Sequence, residues 1–288
     1  MRYDGSMEVL YVVNDFYLQR QRIANLANWN ERVNIHKESP SYGTDRVRFG
    51  ASTLLPVEIA ELGSVSGKSL LHLQCHFGLD SLSLARAGAR VTGVDFSDEA
   101  IRLAKQLNQE LGLDVSFVCS DVYRVREVVN HEYDVVFTSY GVLCWLPDLM
   151  EWAKVIYDCL RPGGMFYIVE GHPVGSLFEP GKDGQLERRY PYFTEGTPIL
   201  CESETSYTGD AQTLKNTTTF QWDHAMSEIV GALLEAGLHL EHLHEFPYSA
   251  YCNYPGLMVQ RNDGYWELKE PPNLPLLFSL KAIKPVRF

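Results

Sequence analysis

An acid, Asp95, ends the apolar run Arg90 to Val94, and about 20 residues before it the chain turns through Gln74-Cys75-His76-Phe77-Gly78. An apolar run, Ser69 to Leu73, precedes that turn, and a helical pattern with Leu79, Leu82 and Ala85 on one side follows it. In a strand–turn–helix–strand unit this spacing sets a carboxylate against a ribose. A second acid, Asp121, follows the next apolar run, Val115 to Val118. The first of these acids, by its spacing from the turn, points to a nucleoside-type cofactor. His172, just beyond the run Met165 to Val169, and His224, just before a helical pattern, are the candidate proton acceptors. Their ordinary pKa near 6.5 allows either to take a proton at neutral pH. Tyr140 and Trp145 belong to a loop at a strand end, and Tyr42, with His36, to a polar and aromatic segment near the N-terminus. These rings are the candidate substrate contacts. No metal is expected, because His72 and His76 with Cys75, and His242 with His244, both fall short of the four ligands of a structural site.

The elements that must position these groups read as an α/β chain. Short continuous apolar runs at 69–73, 90–94, 115–118, 133–138 and 165–169 suit strands buried on both faces of a parallel sheet. Ser97 is an N-cap, with Asp98 and Glu99 at the positive end of its helix, and Ala100, Ala104, Leu107 and Leu111 form one apolar face. Leu149, Trp152, Ala153, Ile156 and Leu160 form another such face, and Arg161-Pro162-Gly163-Gly164 turns the chain into the fifth strand. Leu238 to Phe246 and Leu276 to Ile283 read as a terminal antiparallel pair. Strand ends on one side of such a sheet form the ligand crevice.

Taken together, from about Leu55 to Glu170, these pieces resemble a class I S-adenosylmethionine-dependent methyltransferase. That family usually carries an acid and three spaced glycines at the first turn, and an LRPGG-type turn before the fifth strand. Here His72 replaces the acid, Gln74 and His76 replace the first two glycines, and only Gly78 matches. S-adenosylmethionine carries no phosphate, so bulkier turn residues harm it less than they harm NAD, whose pyrophosphate needs close backbone approach. The resemblance implies a doubly wound, mostly parallel seven-stranded Rossmann-like sheet with an antiparallel last strand. It also implies S-adenosylmethionine as cofactor, with Asp95 on the ribose, Asp121 on the adenine amino group and Val122 against the ring. Gln74, Cys75, His76 and Gly78 would hold the methionine end, partly through the following helix N-terminus, with Phe96 and Ser139 completing the set. The expected activity is methyl transfer to a small-molecule oxygen or nitrogen. An aromatic face such as Tyr140 or Trp145 can attract the cationic donor. An NAD(P)-dependent oxidoreductase and a non-catalytic S-adenosylmethionine-binding protein are the alternatives.

Composition agrees with one sizeable domain carrying insertions. Residues 1–65 are expected to form an N-terminal helical lid, and residues 66–288 the catalytic domain, with an inserted β flap at 171–222. Within the flap, runs near Ile199 to Tyr207 and Leu214 to Gln221 should pair across Gly209-Asp210. Pro247 to Pro275 reads as a long loop. A net charge of -12 offers no footprint for nucleic acid. No apolar run reaches membrane-spanning length, and Val9 to Val13 is too short for a signal-peptide core. Six scattered cysteines without a CxxC suit reduced thiols in the cytoplasm.

Overall fold

A computed structural model describes residues 6–270 and 273–286, with side chains from Tyr17 onward; the side chains of Val9 to Val13 and of Phe16 lie outside the described residues. Three helices, α1 (Ser6–His36), α2 (Thr44–Arg48) and α3 (Pro56–Leu62), precede the sheet. The sheet opens with β1 (Ser69–Leu73), α4 (Leu79–Arg86), β2 (Arg90–Asp95), α5 (Asp98–Glu110) and β3 (Ser116–Cys119). A short α6 (Val125–Val128) leads to β4 (Tyr133–Thr138), and α7 (Leu149–Cys159) to β5 (Leu160–Gly171).

The insertion carries two hairpins, β6 (Phe178–Pro180) with β7 (Leu186–Arg188), and β8 (Ile199–Glu202) with β9 (Thr218–Gln221). After α8 (Met226–Glu235) and β10 (His239–Phe246), the stretch read as a loop holds a small sheet of β11 (Tyr248–Ser249), β12 (Met258–Gln260) and β13 (Trp266–Leu268). Strands of two or three residues are too short to show an alternating pattern, so that sheet left no periodicity to read. The chain closes on β14 (Leu277–Ile283).

The main sheet runs β10-β14-β5-β4-β1-β2-β3, and only β14 is antiparallel to its neighbours. This is the doubly wound sheet with one antiparallel strand that the resemblance implies. Alternate residues of each strand feed two cores. Leu71, Leu73, Val136, Phe166 and Ile168 pack with Trp152, Ile156, Ile229 and Leu233 of α7 and α8. Leu70, Val135, Phe137, Tyr167 and Val169 pack with Val57, Leu82, Ala104 and Leu107 on the opposite face. Burial on both faces is why the strands read as continuous apolar runs. The Ser97 side chain caps α5 by accepting the N–H of Ala100 at 3.0 Å. Among the described residues, no helix is long and apolar enough to cross a membrane. All six cysteines are unpaired.

Candidate functional site

The turn after β1 shows how the chain manages without two of its expected glycines. Gln74 and His76 both adopt left-handed backbone, at φ 55 and 50, and Gly78 follows at φ 79. All three positions aligned with spaced glycines are therefore left-handed, two of them with side chains that make this cost roughly 1–2 kcal/mol each. Long-range hydrogen bonds hold them there. The N–H of Cys75 reaches the carbonyl of Val94 at 2.9 Å, that of His76 the Asp95 carboxylate at 2.8 Å, and Gln74 Nε2 the carbonyl of Val142 at 3.1 Å. At Gly78 no side chain fits, since a Cβ would lie 2.5 Å from the Phe117 ring.

Asp95 ends β2 under this turn, accepting the N–H of His76 on one oxygen and of Ser97 on the other, each a backbone bond shorter than 3 Å. Burial pushes its carboxyl up to about 6 against the pull of those N–H groups. A carboxylate has about four lone-pair sites, so acceptor capacity remains. Phe96 is half-buried beside it. Asp121 caps the short 3-10 turn after β3 through the N–H of Tyr123 and also pairs with Arg22 of α1.

Three expected cofactor contacts face elsewhere. The Cys75 side chain is buried in the core, pressed towards Gly93. Val122 belongs to the core under α7. Ser139 is buried with its Oγ 3.3 Å from Nε2 of His72, whose Nδ1 lies 2.8 Å from Ser81 Oγ. Alternation along a strand and its first loop residue sends such side chains inward, so these positions offer backbone rather than side chain to the crevice.

Over the turn lies a ring cluster. His36 stacks on Tyr42 with centroids 4.6 Å apart, and Trp29 meets both His76 (5.2 Å) and Trp145 (5.3 Å) edge to face. The Tyr42 hydroxyl bonds that of Tyr207 from the insertion. Helix and insertion are clasped further along. Asn25 both donates to and accepts from the backbone of Phe220, at 2.8 Å each way, and Glu31 accepts the N–H groups of Lys215 (2.8 Å) and Asn216 (2.9 Å).

A cavity of about 380 Å³ opens against the loop Gly141–Cys144, lined also by Tyr140, His172, Trp222, His224 and Tyr251. The turn residues do not line it, but the loop touches both: Gly141, Leu143 and Cys144 line the cavity, and the carbonyl of Val142 accepts from Gln74 Nε2. Glu170 holds that loop, accepting the N–H groups of Gly141, Val142 and Leu143 at 2.5, 2.8 and 3.2 Å. Trp145 Nε1 donates to the carbonyl of Gly141, and Tyr140 donates its hydroxyl to Glu58 Oε2 at 2.7 Å. Burial first, then the charge of Asp80, pushes the Glu58 carboxyl up to about 8.

The two histidines differ. His172 Nδ1 accepts the N–H of Val174, which leaves Nε2–H to donate to Glu245 at 2.7 Å. Both nitrogens are engaged, so His172 presents no lone pair to the cavity, contrary to the expectation of a base there. His224 Nε2 donates to the carbonyl of Leu146 at 2.8 Å, which makes Nδ1 the lone-pair nitrogen. Burial holds both rings below their ordinary value, and therefore neutral near pH 7.

The structure thus gathers Gln74, His76, Asp95, Tyr42 and Trp145 around the turn, and Tyr140, His172 and His224 around the cavity. Glu58, Glu170 and Trp29 escaped the sequence reading. Glu170 had a signal, because it is an acid at the end of a buried strand just as Asp95 is. The other two act through partners more than 40 positions away, which no local pattern reveals.

Comparison with known proteins agrees with this architecture. Residues 70–164 match the family described as a methyltransferase domain. A ubiquinone biosynthesis O-methyltransferase of Nitrosospira multiformis is 34% identical over 116 residues, which is 40% of this chain and 48% of that protein. The chain therefore spans about half the length of that relative. An S-adenosylmethionine-dependent methyltransferase structure from Mesorhizobium loti aligns with a TM-score of 0.55 at 19% identity, covering 82% of this chain and 99% of that one. One from Methanosarcina mazei aligns at 0.53 and 18% identity, covering 81% and 99%. The fold is the Rossmann-like methyltransferase fold.

Proposed function

We propose that this protein is an S-adenosylmethionine-dependent methyltransferase that moves a methyl group to an oxygen or nitrogen of a small-molecule acceptor. The observation that carries the reading is the left-handed turn at Gln74, His76 and Gly78, closed on Asp95 close to a cavity. The match of residues 70–164 to a methyltransferase domain supports it.

The residues present fit the cofactor's chemistry. Gln74 Oε1 and Trp29 Nε1, an acceptor and a donor bordering the turn, are buried without hydrogen-bond partners, a state that costs roughly 1–3 kcal/mol each. A polar ligand would satisfy them. Asp95 would hold the ribose hydroxyls and Asp121 the adenine amino group, in place of or alongside Arg22. Phe96 and the backbone at Val122 would border the ring, and the segment 74–78 with Ser139 would take the methionine end. Bound there, the cofactor supplies a methyl group already activated on a positively charged sulfur.

The chain's own work is then alignment, water exclusion and one proton. Residues 1–65 with the insertion at 171–222 act as a lid, joined through Asn25, Glu31 and Tyr42. The acceptor occupies the cavity, near Tyr140 and the Trp145 loop. His224 takes its proton at Nδ1, while His172, fixed by Glu245 and Val174, shapes the wall. The side chains of Gln74 and His76 stand where a dinucleotide needs bare backbone, which disfavours the oxidoreductase reading.

Calorimetric titration with S-adenosylmethionine, S-adenosylhomocysteine and NAD tests this. Binding of the first two but not NAD is the expected result. Binding of NAD alone would overturn it, and binding without turnover on any screened acceptor would favour a non-catalytic role.

A further inference from the structure

His242 and His244 stand two residues apart on β10, so both imidazoles leave the same face of the sheet's edge strand. By sequence they are only a pair. The fold adds a third group, Glu61 from α3, whose Oε1 lies 2.8 Å from His244 Nδ1 and whose Oε2 lies 3.5 Å from His242 Nε2. The two imidazole rings are nearly parallel, 4.4 Å between centroids. His242 Nε2 is buried and makes no hydrogen bond, so a ligand-capable nitrogen points into the cluster without a proper partner. Tyr167 donates its hydroxyl to Glu61 Oε2 at 2.9 Å and so orients the carboxylate from outside the cluster. One ligand atom from each residue lies within 4.8 Å of the others, and no other trio of this kind occurs among the described residues.

We propose that Glu61, His242 and His244 form a binding site for a divalent transition metal of the zinc class, separate from the cleft at the turn. Two imidazole nitrogens and one carboxylate oxygen suit zinc, cobalt, nickel or copper, whereas magnesium and calcium prefer all-oxygen sets. At metal–ligand distances of roughly 2.0–2.1 Å, tetrahedral ligand atoms lie about 3.3 Å apart, between the two carboxylate–imidazole spacings of 2.8 and 3.5 Å. The Tyr167 hydroxyl is the kind of outer partner that fixes a ligating carboxylate. His244 is half exposed, which leaves a solvent-side fourth position for water. Such a site ties α3 to the edge strand. The next residue on that strand, Glu245, leaves the opposite face and holds His172.

The test uses the full chain after chelation. Zinc titrated by calorimetry should bind at about one equivalent, and cobalt should give visible d–d bands without an intense thiolate charge-transfer band. Glu61→Gln, His242→Ala and His244→Ala should each weaken binding roughly tenfold or more. No binding, unchanged affinity in all three folded variants, or a thiolate band that assigns the ion to cysteines would overturn the site. Should the variants fail to fold, carbethoxylation of the wild-type chain decides the matter. Zinc should protect His242 and His244 from modification, and equal labelling with and without zinc would sink the proposal.

Discussion

His36 on α1 places its Nδ1 3.0 Å from Nε2 of His76, the middle left-handed residue of the turn after β1. Its other nitrogen lies 2.8 Å from Ser206 Oγ in the insertion. One ring must donate and the other accept, which requires at least one neutral imidazole. Burial, with the nearby Arg32 charge, holds His36 down at about 3, and burial lowers His76 as well. An unfolded histidine titrates near 6.5. The unfolded chain therefore binds more protons between those values, and the pair's contribution to stability is present above about pH 6.5 and lost as the pH falls. Denaturant midpoints should drop from about pH 7 to about pH 5, and drop less in His36→Asn. Identical profiles for the two proteins would refute the neutral pair.

Glu58 works in the other direction. Its folded pKa of about 8, raised by burial and by Asp80, stands above an unfolded value near 4.3. Its contribution is full below about pH 4.3 and disappears as the pH rises through about 8. Glu58→Gln keeps an oxygen for the Tyr140 hydroxyl and has no proton to lose. The variant should gain melting temperature relative to wild type at about pH 9 compared with about pH 6. A constant difference across that range would mean that Glu58 is already ionised when folded.

Replacing Asp95 by Ala should weaken S-adenosylhomocysteine binding more than roughly tenfold, the loss of one charge-assisted hydrogen bond. The same change orphans the N–H groups of His76 and Ser97, so a stability loss of roughly 1–3 kcal/mol should accompany it. Asp95→Asn keeps one acceptor oxygen, so it orphans one N–H group rather than two and should lose less stability than Asp95→Ala. Calorimetry on variants shown to be folded by circular dichroism checks this; unchanged affinity would remove Asp95 from the ribose.

His224→Ala should lower turnover by roughly a hundredfold while leaving S-adenosylhomocysteine affinity unchanged, the effect of removing a positioned base. His172→Ala should cost less, because neither of its nitrogens offers a lone pair to the cavity. Steady-state kinetics beside cofactor titration measures both. The opposite ranking would return the proton transfer to His172.

Much of the scaffold was legible because it is local. Buried strands announce themselves as apolar runs, Ser97 as a cap by residue type and place, and Asp95 and Asp121 by standing where those runs end. The seven-stranded order follows from such pieces once they resemble a known arrangement. What the linear pattern could not supply are states set by groups far apart in sequence. Gln74 and His76 are poor left-handed residues by type, yet bonds to Val142 and Asp95 hold them so. Asn25 meets Phe220 across 195 positions, and Glu61 meets His244 across 183. His172 looked like a base until Val174 and Glu245 took both of its nitrogens. Residue type sets what a side chain is able to donate or accept; only packing decides which partner uses that capacity and which capacity is left for a ligand.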